Sequence, residues 1–187
     1  LDFITYDSYP NFAYCLDDYE PGEGKMRDRK WSRNLAEARA ISPVFGIMEQ
    51  QSGANGWNTR MEAPTPKPGQ MTLWTMQSIG HGADYVSYFR WRTCTVGTEI
   101  YWHGILDYSG RDNRRLAEVK EIHKKVGALA PVTGAHYRAE IGIVKDYDNI
   151  WDAGLDRWHQ RVDGESSKGL FAACQKTHTP FDFCYLD

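Results

Sequence analysis

Apolar positions along the chain alternate between short continuous runs and longer stretches with helical periodicity. Phe3 to Tyr6 (FITY) predicts a short buried strand, followed by the turn-rich DSYPN. Residues 17–29 (DDYEPGEGKMRDR) are polar, contain Pro and Gly, and predict a loop. Lys30 to Ala40 has good helix formers, with Leu35 at its centre, Ser32 or Asp28 as candidate caps and Pro43 as the stop. Val44 to Met48 (VFGIM) is an apolar run of strand length that ends abruptly in Glu49. A loop rich in Gly, Asn and Pro covers residues 50–68. A helix follows from Gly69 to His81, with Leu73, Met76 and Ile79 at helical spacing and Gly82 as its end. Tyr85 to Phe89 (YVSYF) predicts the next strand, and a polar, aromatic loop runs on to Gly110. Asn113 to Leu129 predicts an amphipathic helix carrying Leu116, Val119, Ile122 and Val126 on one face.

Residues 1–130 therefore repeat strand–loop–helix three times. Apolar strands alternating with amphipathic helices imply a parallel sheet covered by helices. The loop after each strand is long and the return from helix to strand is short. That asymmetry points to a (β/α)8 barrel with its active site at the C-terminal ends of the strands. A doubly wound sheet is the alternative and shares the rule about strand ends. Three units fall short of eight, and a complete barrel needs about 250 residues. The expectation is a fragment: the last three βα units of a TIM barrel, strands six to eight. After Pro131 the pattern changes. Glu140 to Lys145 (EIGIVK) predicts a strand, DYDN a turn, and Ile150 to Val162 a helix with Trp151, Leu155 and Trp158 at helical spacing. A further helix near Lys168 to Thr177 and a strand from Phe181 complete the opening of a second α/β domain. The predicted division is residues 1–137 for the barrel part and 138–187 for the second domain.

Composition narrows the function classes. The formal charge of −3 and pI near 6.1 give no basic surface for nucleic acid or an anionic membrane. No apolar run approaches the roughly 20 residues of a spanning helix, and no signal peptide is read, although an upstream targeting segment is left open. Cys15, Cys94, Cys174 and Cys184 lie far apart without a CxxC, as free thiols of a reduced compartment do, so a cytoplasmic location is expected. The 7 Trp, 11 Tyr and 7 Phe suit either a large aromatic core or stacking on sugar rings.

Glu49 stands where a barrel places its reacting groups. A carboxylate there can serve as nucleophile, general base, metal ligand or simple salt-bridge partner. No metal-ligand spacing or phosphate-binding loop lies nearby. Gln50, Gln51, Asn55, Trp57 and Asn58 follow it, offering amides for hydroxyls and a stacking surface. After the third strand, FRWR and TEIYWHG bring Glu99, Tyr101, Trp102 and His103 close together, and Glu99 and His103 can both hydrogen-bond sugar hydroxyls. Asp7 and Tyr9 follow the first strand: Asp7 braces a turn, and the Tyr9 phenol can hold a carboxylate in position. His81 is read as a helix cap; His123, His136, His159 and His178 are read as structural.

The segments GIMEQQSGANGWN, KPGQMTLWTMQSIGHGADYVSYFRWR and GTEIYWHGILDYSGR, in this order and spacing, closely resemble glycoside hydrolase family 42, the β-galactosidases found mainly in bacteria. The resemblance covers essentially the whole chain. It implies a (β/α)8 barrel followed by an α/β trimerisation domain, hence a homotrimer. It implies a retaining β-galactosidase acting on β-galactosides, with Glu49 as nucleophile, Trp57 lining the galactose pocket, Glu99 and His103 on sugar hydroxyls and Tyr9 as the tyrosine after the sixth strand. The family's acid/base, a glutamate preceded by asparagine, has no match here. The zinc-binding cysteines of some relatives belong to that same absent part, so no metal or other cofactor is assigned to these residues. Another retaining β-glycosidase or α-L-arabinosidase on the same barrel, or a non-catalytic galactoside-binding protein, is the alternative.

Overall fold

The computed structural model describes residues 2–11, 30–56, 63–155 and 160–186. Trp57, Asn58, Cys15, Trp158 and the loop of residues 17–29 lie outside them. The elements are β1 (Ile4–Ser8), α1 (Lys30–Ile41), β2 (Phe45–Gln51), α2 (Gln70–Gly80), β3 (Val86–Phe89), α3 (Arg114–Ala128), β4 (Ile141–Lys145), α4 (Tyr147–Leu155), α5 (Gln160–Thr177) and β5 (Phe181–Tyr185).

β1, β2 and β3 form a parallel sheet in that order, with Ile4 opposite Phe45 and Ile47 opposite Val86. Side chains alternate across a strand, and one face takes the apolar set. Phe45 and Ile47 are fully buried against Leu35 and Ala38 of α1, with Ile4, Tyr6 and Val86 packed around them. Farther along, Met71 and Trp74 of α2 meet Leu116 and Ile122 of α3 and the loop residues Ile105 and Leu106. The other face carries Thr5, Asp7, Met48 and Ser87, all exposed. Parallel sheets are normally covered on both faces; among the described residues this one is covered on one.

The helix of residues 70–80 buries a different face from the one its apolar spacing suggests. Leu73 is half exposed, while Met71, Trp74, Thr75 and Ser78 are buried. The hydroxyls of Thr75 and Ser78 donate to the carbonyls of Met71 (2.8 Å) and Trp74 (3.0 Å), so they need no water. Small polar residues thereby occupy a core stripe that counting apolar residues misses.

β4 and β5 form a separate two-stranded parallel sheet, with Ile141 opposite Phe181. Here the single helix expected over residues 150–162 is α4, ending at Leu155, and the start of the longer α5. The turn read in DYDN is the first turn of α4. The Asp146 carboxylate accepts from the backbone N–H of Asp148 at 2.9 Å, as an N-cap does. Trp151 and Leu155 are exposed, not core-facing.

Helix α1 serves both sheets. Ala36 is buried among Ile143, Cys174, Phe181 and Phe183 of the second unit. Arg39 is buried and pairs with Asp182 through both nitrogens of its fork, at 3.2 and 3.0 Å, and Lys145 pairs with Glu37 at 2.8 Å. None of the helices among the described residues is long and apolar enough to cross a membrane.

Candidate active site

The C-terminal ends of β1, β2 and β3 meet at one end of the sheet, and Glu49 stands there. Asp7 of β1 lies opposite it in register, after an irregularity between Tyr6 and Asp7. Two residues on, Tyr9 is buried and its phenol donates to Glu49 Oε2 at 2.5 Å. Burial first, then the hydrogen bond to Glu49 and its charge, push the Tyr9 phenol far above its ordinary range. It stays protonated and remains a donor. Partial desolvation at the sheet end raises the Asp7 carboxyl, against a smaller lowering by the Glu49 backbone hydrogen bond.

Neighbouring amides do a different job from the hydroxyl binding expected of them. Gln50 and Gln51 have no exposed surface. Gln50 Nε2 donates to Ser8 O at 3.1 Å, and Gln51 Oε1 accepts from Asn11 N–H at 2.9 Å. Gln51 Nε2 donates to Gly53 O at 3.1 Å. These side chains pin the segment carrying Tyr9 onto β2, which is why the phenol meets the carboxylate. Asn55 is equally buried and is paired through its backbone with Ala63, at 3.1 and 2.8 Å. Trp57, two residues on, lies outside the described residues.

From the third strand, Phe89 leads into Arg90 and a loop that folds back over the β2 loop; the Phe89–Arg90 peptide is cis. Arg90 Nη1 donates to Glu99 Oε2 at 3.1 Å, and Nη2 to Glu99 O at 2.9 Å, so Glu99 is held from both its side chain and its backbone. Trp102 follows in the same turn, with its N–H on Glu99 O at 3.0 Å. Its ring meets Tyr9 edge-on at 5.1 Å and Phe89 at 6.3 Å. Tyr9, Ala63, Phe89 and Trp102 thus form one apolar cluster beside Glu49.

His103 sits next in the chain, with its N–H on Ala54 O at 2.8 Å. A methyl group on Gly53 would approach the His103 carbonyl oxygen to 2.4 Å, so only glycine permits this contact. The His103 ring packs edge-on against Tyr108 at 5.1 Å, and its buried Nε2 has no hydrogen-bond partner among the described residues. Burial lowers the imidazole pKa, keeping the ring neutral. Gly104 makes a second close approach: a Cβ there would lie 2.3 Å from Arg90 O.

Of the residues singled out in the sequence, Tyr9 and Glu49 are in direct contact, and Glu99 and His103 lie in the adjoining loop, joined to Tyr9 through Trp102. Arg90 and the anchoring role of Gln50 and Gln51 were missed. A charged residue directly after a strand at the same end of the sheet was the available signal for Arg90. Among the described residues no group of three or more His, Cys, Asp or Glu could hold a metal. The arrangement offers a half-buried carboxylate oriented by a phenol, with aromatic edges beside it and a second carboxylate fixed by a guanidinium. Such a site can attack, or deprotonate, a polar substrate that presents both an apolar face and hydroxyls.

Residues 1–129 match the profile of the glycoside hydrolase family 42 β-galactosidases. The β-galactosidase BgaA of Clostridium cellulovorans is 38% identical over 130 residues, which cover 69% of this chain and 18% of that protein. The β-galactosidase Bga of Halorubrum lacusprofundi is 33% identical over 156 residues, 81% of this chain and 22% of that protein. The solved β-galactosidase structure from the same haloarchaeon superposes with a TM-score of 0.79 at 28% identity, covering 99% of this chain and 28% of the other. The cold-adapted β-galactosidase of Rahnella sp. R3 gives a TM-score of 0.76 at 25% identity, covering 99% of this chain and 27% of the other. The chain spans about a fifth of the length of the curated relatives it matches. With its site at the strand ends and this match over more than half its length, the chain belongs to glycoside hydrolase family 42, the β-galactosidases.

Proposed function

We propose that this chain carries the nucleophile half of a retaining β-galactosidase, with Glu49 as the nucleophile. The observation that carries this is the Tyr9–Glu49 contact at the C-terminal edge of a parallel sheet. A retaining glycosidase forms a glycosyl ester on one carboxylate and breaks it with water. In the first step a Glu49 oxygen bonds to the anomeric carbon of a β-galactoside as the bond to the leaving oxygen breaks. A second carboxyl group protonates that oxygen, then takes a proton from the water that releases galactose. No Asn-Glu pair occurs in the sequence, so the acid/base belongs to a part of the protein outside these residues.

The remaining roles follow the same logic. Tyr9 fixes the attacking oxygen, and Glu99, held by Arg90, accepts from a sugar hydroxyl. His103 offers its unpartnered Nε2 to another hydroxyl, and Trp57 shapes the pocket wall. Contacts that strengthen as the sugar ring flattens lower the barrier rather than only improving binding. Residues 1–137 are the last three βα units of a (β/α)8 barrel, strands six to eight. The exposed sheet face with Thr5, Asp7, Met48 and Ser87 becomes barrel interior once the other strands close it. Residues 138–187 open an α/β domain through which the protein forms a homotrimer in the cytoplasm.

The test is Glu49→Gln in the full-length protein, assayed on an aryl β-galactoside with folding followed by circular dichroism. Turnover is expected to vanish with the fold intact. Retention of more than a few per cent of wild-type activity sinks the assignment.

A further inference from the structure

We propose that Asn55 is a positioning residue for the nucleophile, acting through Trp102 and Tyr9. The proposal rests on Glu49 being the nucleophile, and extends the site to the Asn55 amide and the Trp102 indole. Asn55 has no exposed surface, yet its amide is not consumed by the β2 loop alone. With its amide oxygen turned towards the indole, Asn55 accepts from Trp102 Nε1 at 2.8 Å, while its nitrogen donates to Gly53 O at 2.9 Å and lies 2.8 Å from Gln51 Nε2. Its backbone is clamped to Ala63 on both sides, so the amide is a fixed point. The indole it holds is the one whose edge meets the Tyr9 ring at 5.1 Å, with the planes 82° apart. The indole N–H is the only polar group of Trp102, and that side chain also acts on the Tyr9 phenol as a hydrogen-bond donor. Tyr9 in turn holds Glu49 Oε2.

The chain Asn55–Trp102–Tyr9–Glu49 therefore joins the β2 loop, the β3 loop and the segment after β1 around one carboxylate oxygen. A phenol with a single donor can tilt; an indole fixed at its N–H limits that tilt. Placing the attacking oxygen within a fraction of an ångström is worth rate, not affinity. Removing Asn55 therefore lowers kcat and leaves KM nearly unchanged. A purely structural Asn55 lowers thermal stability only, and one that shaped the pocket through nearby Trp57 raises KM.

The experiment compares Asn55→Ala, Trp102→Phe and the double variant in the full-length protein, with Glu49→Gln as control, well below each melting temperature. One neutral hydrogen bond corresponds to about a five- to tenfold change, so each single variant is expected to lose that much kcat with KM within about twofold. Trp102→Phe removes the N–H through which Asn55 acts, so adding Asn55→Ala should cost nothing more in kcat and the double variant should fall no lower than Trp102→Phe alone. Wild-type kcat in Trp102→Phe, multiplicative losses in the double variant, or a loss confined to KM overturns the proposal. Should Asn55→Ala fail to fold, Asn55→Ser, whose shorter side chain cannot reach the indole, takes its place in the comparison. Activity surviving in Glu49→Gln refutes the nucleophile assignment instead, so the two failures are distinguishable.

Discussion

At the scale of single residues, the proposed chemistry turns on a buried phenol that stays protonated and donates to the Glu49 carboxylate. Burial first, and then Glu49, hold the Tyr9 phenol well above its ordinary range, so the O–H remains a donor to Oε2. A hydrogen bond to a charged group contributes about 1.5–3 kcal/mol. Tyr9→Phe is therefore expected to lower kcat/KM about ten- to hundredfold, and steady-state kinetics showing wild-type kcat/KM would remove Tyr9 from the site. Glu49 was legible in the sequence because an acid closing an apolar run stands out. The amides around it were legible as polar but not in purpose. Sequence cannot distinguish an amide facing a sugar from one facing a backbone carbonyl, and Gln50, Gln51 and Asn55 all turned inward. Arg90 escaped notice because its partner Glu99 lies nine residues on, across a turn that no local pattern reveals.

At the scale of elements, strands and helices over residues 1–130 were readable to within a few positions. Periodicity and stop signals such as Pro43 and Gly82 act locally. What failed was the choice of buried face on α2, where Trp74 and two self-satisfied hydroxyls outcompeted Leu73. The α4–α5 boundary failed for a related reason. Asp146 caps its helix earlier than the apolar pattern begins, and the exposed Trp151 and Leu155 mimic a core stripe. The crossing of the β2 and β3 loops was not legible either. It depends on Gly53 and Gly104 meeting backbone that is distant in sequence, and a glycine in a loop carries no mark of what approaches it.

At the scale of the molecule, α1 is the joint between the three-stranded sheet and the second unit, and Arg39 is its pin. The Arg39 guanidinium pairs with Asp182, donates to His81 O at 2.6 Å and stacks over the Tyr137 ring at 3.7 Å. His81, packed into the same joint and stacked on Tyr137, has its pKa lowered to about 4, by burial first and then by Arg39, against a smaller upward pull from Asp182. The ordinary value is 6.5, so the unfolded chain binds a proton at a higher pH than the folded one. Stability from this group is complete above the unfolded value and is lost as pH falls from there towards 4. The lowered value corresponds to about 3 kcal/mol. Wild type is expected to lose about that much more stability than His81→Gln between pH 7 and pH 4, measured as unfolding midpoints. Parallel pH profiles for the two proteins would show that this joint does not sense protons. Packing across it was invisible in the sequence, because Arg39 and Asp182 lie 143 positions apart.

Covalent trapping tests the central claim most directly. A β-galactosyl fluoride bearing fluorine at C2 reacts with the nucleophile of a retaining enzyme, releases fluoride and leaves a slowly hydrolysed sugar ester. Digestion and mass spectrometry of the full-length protein after such treatment should place the sugar on the peptide containing Glu49, with fragmentation locating it on that side chain. A label on any other carboxylate contradicts the account, as does turnover of the reagent with no covalent adduct.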